Sequence, residues 1–373
     1  MNDNSAASET RPKSRFLNIV HVNDSLVVGG SEKLTALLCR EQRLRQHTVS
    51  VHCLFSIGAL GEELRREGVD IVLHRSPSAF GLMRSLYRVF KSSKPDVVHC
   101  HNATAAVLGA LPARLAGVKT IVATRHGLVK PPYQLRSELR FAVASRFCDW
   151  IVGVCDSTKS NLLAAPLAER GKIVHIYNAA PPANVAVMPR TKSGFTLLHV
   201  GRLVAEKDQA TMLRAVALAR PKVDDLCLWV VGDGPLAADL RRLTDRLDLT
   251  DCVTFFGEQS DISSFLVAAD LFLMSSLSEG LPLALLEAMS AGLPAIVTDV
   301  GGMGEIARFS EGVMRVRPSD PQAMADALCA AAMRSHDLPR IGQIASRCYE
   351  RNFTPENMCD LYLHLYRKRP AHQ

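Results

Sequence analysis

Glu279 and Glu287 lie in the segment SSLSEGLPLALLEAMSAGLP, which follows a short apolar run at 271–274. The pattern places Glu279 in a loop and Glu287 one to two turns into a helix predicted over 283–291, with Pro282 at an early helical position. A helix N-terminus offers free backbone N–H groups to a phosphate, and a carboxylate can accept hydrogen bonds from two neighbouring hydroxyls. The pair therefore has the chemistry to bind a phosphorylated, polyhydroxylated ligand. The alternative interpretation is a helix cap and an ordinary surface residue.

Arg202 and Lys207 follow another apolar run, at 196–200, in the segment GRLVAEK. The guanidinium offers a planar fork and the ammonium a point charge, so together they could neutralise a departing diphosphate. Two solvated loop cations are the alternative. The later VVGDGP (230–235) contains G-x-G, which indicates either a nucleotide contact or a tight turn before a helix.

The first half contributes glycines and one histidine. Gly29 and Gly30 stand between the first predicted strand and a helix that begins near Ser31, where backbone amides could approach a phosphate. His126 follows the run TIVAT (120–124) and precedes a glycine. This position at a strand end favours a cleft residue, although a structural histidine is the alternative.

The elements that must position these residues alternate between apolar runs and amphipathic helices. Strands are predicted near 16–22, 48–55, 70–74, 96–100, 120–124, 150–154 and 172–177, then near 196–200, 226–232, 253–256, 271–274, 295–298 and 313–317. Helices are predicted near 31–45, 60–67, 80–92, 103–116, 134–147 and 157–170, then near 208–219, 236–247, 262–269, 283–291, 321–333, 338–350 and 355–367. Nearly continuous apolar strands separated by helices indicate two doubly wound parallel sheets. Residues 178–194, which include three prolines, are interpreted as a connector.

Ordered motifs along nearly the whole chain resemble the retaining, nucleotide-sugar-dependent glycosyltransferases of family 4. The motifs are GG-x-E (29–32), DVVHCHN (96–102), TRHG (124–127), IYNA (176–179), GRLVAEK (201–207), VGDGP (231–235), SEGLPLALLEAMSAGLP (278–294) and TDVGGMGEI (298–306). The resemblance implies the GT-B fold, an α/β architecture of two Rossmann-like domains facing across a cleft. It implies an acceptor-binding domain at 15–180 joined by a crossover helix at 354–369, and a nucleotide-sugar domain at 195–353. The polar residues at the start predict a tail at 1–14. Ala179 and Gly304 depart from the residues common in the family, which leaves acceptor details open.

The resemblance also implies residue roles. Glu279 would contact hydroxyls of the donor sugar and Glu287 the ribose, while Arg202 and Lys207 would bind the donor pyrophosphate. His126 would lie near the sugar and the reacting centre, and the donor site would also include Gly30, Gly280 and Leu281. The implied reaction retains anomeric configuration. The chain has no Asp-x-Asp sequence, which fits a reaction without a metal or other cofactor.

The distribution of charge along the chain indicates which partners the protein binds. Residues 1–185 hold 24 Lys and Arg against 14 Asp and Glu, whereas the remainder holds 20 against 23. The basic half, and especially FGLMRSLYRVFKSSK (80–94), predicts contact with an anionic membrane and a glycan or lipid-linked acceptor. The alternative is a helix with its apolar face in the core. No nucleic-acid-binding signature is present, no apolar run spans a bilayer, and no signal peptide is recognisable, so the expected location is cytoplasmic, including the cytoplasmic face of the inner membrane.

Ten scattered cysteines without a C-x-x-C pair predict reduced core residues. A sugar-nucleotide epimerase of the same fold and a catalytically silent scaffold remain alternative functions at this stage.

Overall fold

A computed structural model describes residues 16–27, 29–128, 135–164, 170–183 and 194–368 of the chain. The predicted tail at 1–14 and most of the connector lie outside these residues. Two parallel sheets carry the fold, and each is covered by helices on both faces. The prediction of two doubly wound α/β domains is confirmed.

The first sheet has seven strands in the order β3-β2-β1-β4-β5-β6-β7. Its strands are β1 (Asn18–Ser25), β2 (Thr48–Ser56), β3 (Asp70–Leu73), β4 (Val97–His101), β5 (Thr120–Arg125), β6 (Trp150–Gly153) and β7 (Ile173–His175). The helices between them are α1 (Gly30–Leu44), α2 (Gly58–Arg66), α3 (Ala79–Ser93), α4 (Asn102–Ala116), α5 (Leu135–Ser145) and α6 (Asp156–Ala164).

The second sheet repeats the arrangement with six strands in the order β10-β9-β8-β11-β12-β13. Its strands are β8 (Phe195–Val200), β9 (Leu226–Val231), β10 (Val253–Gly257), β11 (Leu271–Met274), β12 (Ala295–Thr298) and β13 (Val313–Val316). The helices of this half are α7 (Gln209–Ala219), α8 (Ala237–Arg246), α9 (Ser263–Ala268), α10 (Leu283–Ser290), α11 (Gly301–Phe309), α12 (Pro321–Met333), α13 (Leu338–Asn352) and α14 (Pro355–Arg367).

Both sheets form because the strand sequences are apolar on both faces and bury almost completely, as parallel sheets require. In each sheet the strand order reverses between two central neighbours, β1 and β4 in the first and β8 and β11 in the second. Ligands of such sheets bind at the carboxyl ends of strands near this switch point. The topology therefore fixes where the loops after β1, β5, β8 and β11 converge.

The end of the chain returns to the first sheet. Tyr349 of α13 packs in the core of the second half and donates a hydrogen bond from its hydroxyl to the carbonyl of Ala180, 2.8 Å away. Helix α14 instead buries Met358 and Tyr362 against Ile19 and other residues of the first sheet. Thr354 caps this helix by accepting a hydrogen bond from the Asn357 amide at 3.3 Å.

Three local expectations need correction. The helix predicted over 157–170 ends at Ala164 among the described residues, and 170–172 form a short 3-10 turn. Pro282 precedes α10 with extended backbone (φ −73°, ψ 131°) instead of lying inside it. Helix α11 was not predicted, because its sequence GGMGEIARF contains three glycines, which are weak helix formers.

All ten cysteines are free, and eight of them are buried, as their apolar surroundings predicted. Burial raises the pKa of the Cys100 thiol well above its usual range. These side chains therefore belong to the core.

Candidate active site

A cleft of about 1010 Å³ lies between the carboxyl edges of the two sheets. The second half lines it with the loops after β8, β9, β10 and β11, and the first half lines it with the start of α1 and the end of β5. All eight residues assigned to the site from sequence line this cleft: Gly30, His126, Arg202, Lys207, Glu279, Gly280, Leu281 and Glu287.

Lys207 and Glu279 form an ion pair at the floor of the cleft, with only 18% and 14% of their side chains exposed. They meet because β8 and β11 are neighbours at the switch point, so the loops that follow them lie side by side. The Ser276 hydroxyl donates to Glu279 at 3.0 Å, and the Leu277 amide donates to the Glu206 carbonyl at 2.8 Å. The two loops are therefore held together by the backbone as well as by charge.

Arg202 stands at the rim of the same cleft. Its side chain is exposed and forms no ion pair with any residue that the structure describes. Its carbonyl accepts a hydrogen bond from the side-chain Nε2 of Gln209 at 2.8 Å, which fixes the backbone of the loop. Arg202 therefore presents an uncompensated positive charge to the cleft.

The G-x-G motif after β9 supports this loop. Gly232 has a φ of +132°, and a Cβ there would overlap the carbonyl oxygen of Gly201. A Cβ on Gly234 would lie 2.5 Å from the carbonyl oxygen of Leu203. These glycines allow two loops to pack backbone to backbone, and the tight-turn interpretation of the motif accounts for them.

Gly280 lies where the loop after β11 packs against the first half. A side chain at this position would overlap the carbonyl oxygen of His126. The next residue, Leu281, uses its carbonyl to accept a hydrogen bond from the side-chain Nδ2 of Asn178 at 2.8 Å. The loop that carries Glu279 is thus fixed from both sides of the cleft.

Glu287 lies on α10 and faces the cleft from the second half. Burial raises its pKa, and the positive charge of Lys33 on α1 opposes that shift. Lys33 also lines the cleft, and sequence reasoning assigned it no role. The sequence could have indicated Lys33 through its position three residues after Gly30 on the first helix, because residues at this spacing share a helix face.

His126 contributes an unpartnered imidazole to the cleft. Both of its ring nitrogens are covered and have no hydrogen-bond partner among the described residues. Burial lowers its pKa to about 4, so the ring is neutral at pH 7. A neutral imidazole can donate one hydrogen bond and accept another, which suits a sugar hydroxyl.

Gly30 opens α1 at the edge of the cleft, and a Cβ built there would meet nothing within 4 Å. The space beside its Cα is therefore open on the side of the cleft. On the opposite side, Glu258 and Gln259 line the cleft from the loop after β10.

Glu305 of the unpredicted helix α11 joins the two halves beside the cleft. Its carboxylate accepts hydrogen bonds from the backbone amides of Asp156 and Ser157 at 3.2 and 3.1 Å, and from the Tyr177 hydroxyl. The first turn of α6 is thereby tied to the second domain. Sequence reasoning missed this contact because it did not predict α11.

One group of histidines within the described residues could gather a metal ion, and it lies in the first domain apart from the Lys207–Glu279 pair. His21, His99 and His101 place ring nitrogens within 4.8 Å of one another, all of them buried. Their ring nitrogens are engaged in hydrogen bonds, apart from one nitrogen of His101. The absence of a metal requirement stays a prediction.

Helix α3 carries the basic segment for which contact with an anionic membrane is predicted. Its apolar residues Leu82, Leu86 and Phe90 are buried in the core of the first domain, whereas Arg84 and Arg88 are exposed. The alternative interpretation, an apolar face in the core and a basic face in water, describes most of the helix. Across the described residues, no helix is both long and apolar enough to span a membrane.

Two Rossmann-like domains face each other across a cleft in which cations and carboxylates converge, which is the arrangement that the resemblance to GT-B enzymes implies. Two family models match the chain: "Glycosyltransferase Family 4" over residues 28–183 and "Glycosyl transferases group 1" over residues 194–333. The chain therefore belongs to the family 4, group 1 glycosyltransferases, as its motifs predicted.

Relatives and solved structures agree with this assignment. The UDP-Gal:alpha-D-GlcNAc-diphosphoundecaprenol alpha-1,3-galactosyltransferase of Escherichia coli is 30% identical over 237 residues, which cover 58% of this chain and 61% of that protein. The lipopolysaccharide core biosynthesis glycosyltransferase LpsE of Rhizobium meliloti is 26% identical over 311 residues, 82% of this chain and 78% of that one. The crystal structure of Anabaena HepE in complex with UDP-glucose superposes with a TM-score of 0.83 at 19% identity, covering 94% and 99% of the two chains.

Proposed function

We propose that this protein transfers a sugar from a nucleoside diphosphate sugar to a hydroxyl of a glycan or lipid-linked acceptor, with retention of configuration. The observation that carries the proposal is the Lys207–Glu279 pair at the floor of the cleft, with the exposed charge of Arg202 at its rim. The E. coli relative is named for a UDP-sugar donor and a diphosphoundecaprenol-linked acceptor, and the HepE structure holds UDP-glucose. Synthesis of a cell-envelope polysaccharide, lipopolysaccharide or glycolipid is the process that fits these names.

The pair suggests how donor binding is coupled to charge. In the free protein Lys207 neutralises Glu279 in a largely covered position. When the donor binds, its diphosphate gives Lys207 a second anion to pair with, and its sugar hydroxyls donate hydrogen bonds to Glu279. The ligand therefore replaces part of the ion pair between Lys207 and Glu279. Arg202 adds a planar fork for the phosphate oxygens.

During transfer the bond between the anomeric carbon and the diphosphate oxygen breaks and negative charge grows on the diphosphate. Arg202 and Lys207 stabilise that charge from fixed positions, which is the usual way in which a preorganised site lowers a barrier. The acceptor oxygen bonds to the anomeric carbon on the face that the diphosphate leaves, and its proton passes to a phosphate oxygen of the leaving group. Because two cations already stand at the diphosphate position, we propose that the reaction needs no divalent metal.

The test is a transfer assay with UDP-glucose, UDP-galactose and UDP-N-acetylglucosamine and a diphosphoundecaprenol-linked acceptor. Release of UDP should require the acceptor, and the new linkage should keep the donor's anomeric configuration by NMR. Excess EDTA should leave the rate unchanged. Acceptor-independent interconversion of UDP-sugars would instead identify an epimerase, and absence of any turnover would favour a scaffold.

Lys207→Ala should lower kcat/KM on the order of 10²-fold, since it removes a cation from the leaving diphosphate. Arg241→Ala, which changes a cation stacked on Phe255 in the same domain, is the matched control. A kcat/KM for Lys207→Ala within about threefold of that control would refute the assigned role.

We also propose that the first domain adsorbs to anionic membranes through charge. Helix α3 exposes Arg84, Arg88 and Lys91, while its central apolar residues are committed to the core. Adsorption by this surface should therefore be electrostatic and weaken with salt.

Liposome co-sedimentation tests this proposal. Binding to vesicles that contain phosphatidylglycerol should exceed binding to neutral vesicles and fall when the three α3 cations are changed to Glu. Changing three exposed arginines of α13, Arg340, Arg347 and Arg351, to Glu alters net charge equally and is the control. Equal losses in the two triple variants would contradict a specific role of α3.

A further inference from the structure

Three buried histidines, His21, His99 and His101, form a row with His126, which lines the cleft. His21 on β1 and His99 on β4 are register partners, and His101 lies two residues further along β4 on the same face. Ring centroids are 4.1 Å apart between His99 and His101, and 5.7 Å apart between His101 and His126. The row thus runs from the core of the first sheet to the histidine that lines the cleft.

The hydrogen bonds along this row have a defined direction. The amide nitrogen of Gln42 donates to the Tyr366 hydroxyl at 3.4 Å, so its amide oxygen accepts from His21 Nε2 at 2.8 Å. A neutral His21 then has no hydrogen on Nδ1, and that nitrogen accepts from His101 Nε2 at 2.9 Å. His101 is left with an unprotonated Nδ1, which has no partner among the described residues.

Helix α14 supplies the start of this chain. Tyr366 also bonds His99 Nδ1 through its hydroxyl at 2.7 Å, and Tyr362 bonds the Thr124 hydroxyl at 3.1 Å. The crossover helix therefore holds the row of imidazoles by polar contacts as well as by packing.

His126 has no comparable hydrogen bonds. Neither ring nitrogen has a partner among the described residues, and its ring lies at 18° to the ring of His101. Stacking on His101 is therefore the directional contact that sets the plane of the His126 ring.

We propose that His101 is a positioning residue that holds the ring of His126 in the cleft, and that Tyr366, Gln42 and His21 fix the orientation and tautomer of His101. The inference rests on the proposed function only in taking His126 as a donor-site residue. The competing assignment is a metal ion bound by His21, His99 and His101, which would require lone pairs that the hydrogen bonds use.

Paired variants separate the ring from the hydrogen bond. His101→Phe and His101→Leu both lose the bond to His21, but only Phe keeps an aromatic ring against His126. We expect His101→Phe to keep kcat within about threefold of wild type and His101→Leu to lower it on the order of tenfold. The reason is that a displaced His126 would misplace the donor sugar, which costs rate. The UDP Kd should be unchanged in both variants. His52→Phe and His52→Leu are the controls. His52 is equally buried and forms a 2.8 Å hydrogen bond with His74, and neither residue lines the cleft.

Equal kcat for the two His101 variants would overturn the positioning role. Wild-type kcat in His126→Ala, or no transfer by the unmodified protein, would instead count against the proposed function. Thermal unfolding of each variant shows whether it is folded.

NMR supplies a readout that does not depend on activity. Imidazole nitrogen shifts should show His101 protonated at Nε2 in the unmodified protein and a mixture of tautomers in Gln42→Leu. The ring resonances of His126 should shift in His101→Leu but not in His52→Leu. Protonation of His101 at Nδ1, an unshifted His126 ring, or a stoichiometric bound metal after purification would each refute the inference.

Discussion

Acidification should destabilise this protein steeply below pH 6.5, because its buried histidines resist protonation when folded. Burial lowers the pKa of His21, His126 and His199 from 6.5 to about 4, and that of His52 to about 3. The unfolded chain takes up protons near pH 6.5 while the folded chain does not. The stability that these groups contribute is therefore complete above pH 7 and is lost as the pH falls toward their folded pKa.

The magnitude follows from proton linkage. Between pH 7 and pH 5, a histidine with a folded pKa of about 4 and an unfolded pKa of 6.5 loses about 1.8 kcal/mol of stability. Four such groups lose about 7 kcal/mol together. Burial raises the pKa of Asp24 to about 6, so this carboxyl takes up a proton in the folded state at a higher pH than in the unfolded state. Asp24 therefore offsets about 1 kcal/mol of the loss of stability. A net loss of about 6 kcal/mol is comparable to the whole stability of many domains.

Urea unfolding at pH 8, 7, 6 and 5 measures the effect. The free energy of unfolding should be flat above pH 7 and fall with increasing slope below it. Between pH 6 and pH 5, His199→Gln should reduce the loss of stability by about 1.2 kcal/mol, close to the contribution of one proton. His336→Gln is the control, since 78% of that side chain is exposed. A free energy of unfolding that is the same at pH 7 and pH 5 would refute the reasoning.

Three further predictions concern the cleft and its supports. Gly280→Ala should lower both the melting temperature and the affinity for UDP, measured by thermal shift and calorimetry, because its Cβ would overlap the His126 carbonyl; unchanged values would show that the halves can separate freely. Glu305→Ala should lower the free energy of unfolding in urea by about 2 kcal/mol, since charge-assisted hydrogen bonds from α6 and Tyr177 are lost. An unchanged free energy would contradict the role of Glu305 in joining the two halves. Glu287→Gln should raise the melting temperature, because a buried charge is removed, and weaken UDP binding on the order of tenfold; unaltered affinity would exclude a ribose contact.

Residue pattern alone predicted every strand that the structure describes and every described α-helix except α11, because continuous apolar runs and amphipathic periods are local signals. Helix α11 was missed for the opposite reason. Its glycines disfavour a helix locally, but a Cβ on Gly301 would overlap the carbonyl of Glu279, and the Gly302 amide donates to the Gly280 carbonyl at 2.7 Å. The helix therefore forms by tertiary contact with the very loop that carries the site.

The buried histidine row had a sequence signal that was not used. His99 and His101 alternate along one strand, so their side chains must share a face, and a histidine recurs in β1. What local pattern cannot supply is the register that pairs His21 with His99, or the return of α14 with Tyr366. These are long-range contacts, set by sheet order and the path of the last helix.

The same distinction explains Lys207 and Glu279. Their types and motifs predicted separate roles, one toward diphosphate and one toward sugar, but their sequence separation of 72 conceals that they are partners. Strand order makes them neighbours, and partial burial makes each the other's counterion in the free protein. A diphosphate sugar supplies both a second anion and new hydroxyl donors, whereas UDP alone supplies only the anion. Binding of UDP therefore leaves Glu279 with reduced compensation, and the affinity gained by adding the sugar should depend on Glu279 more than the affinity for UDP does.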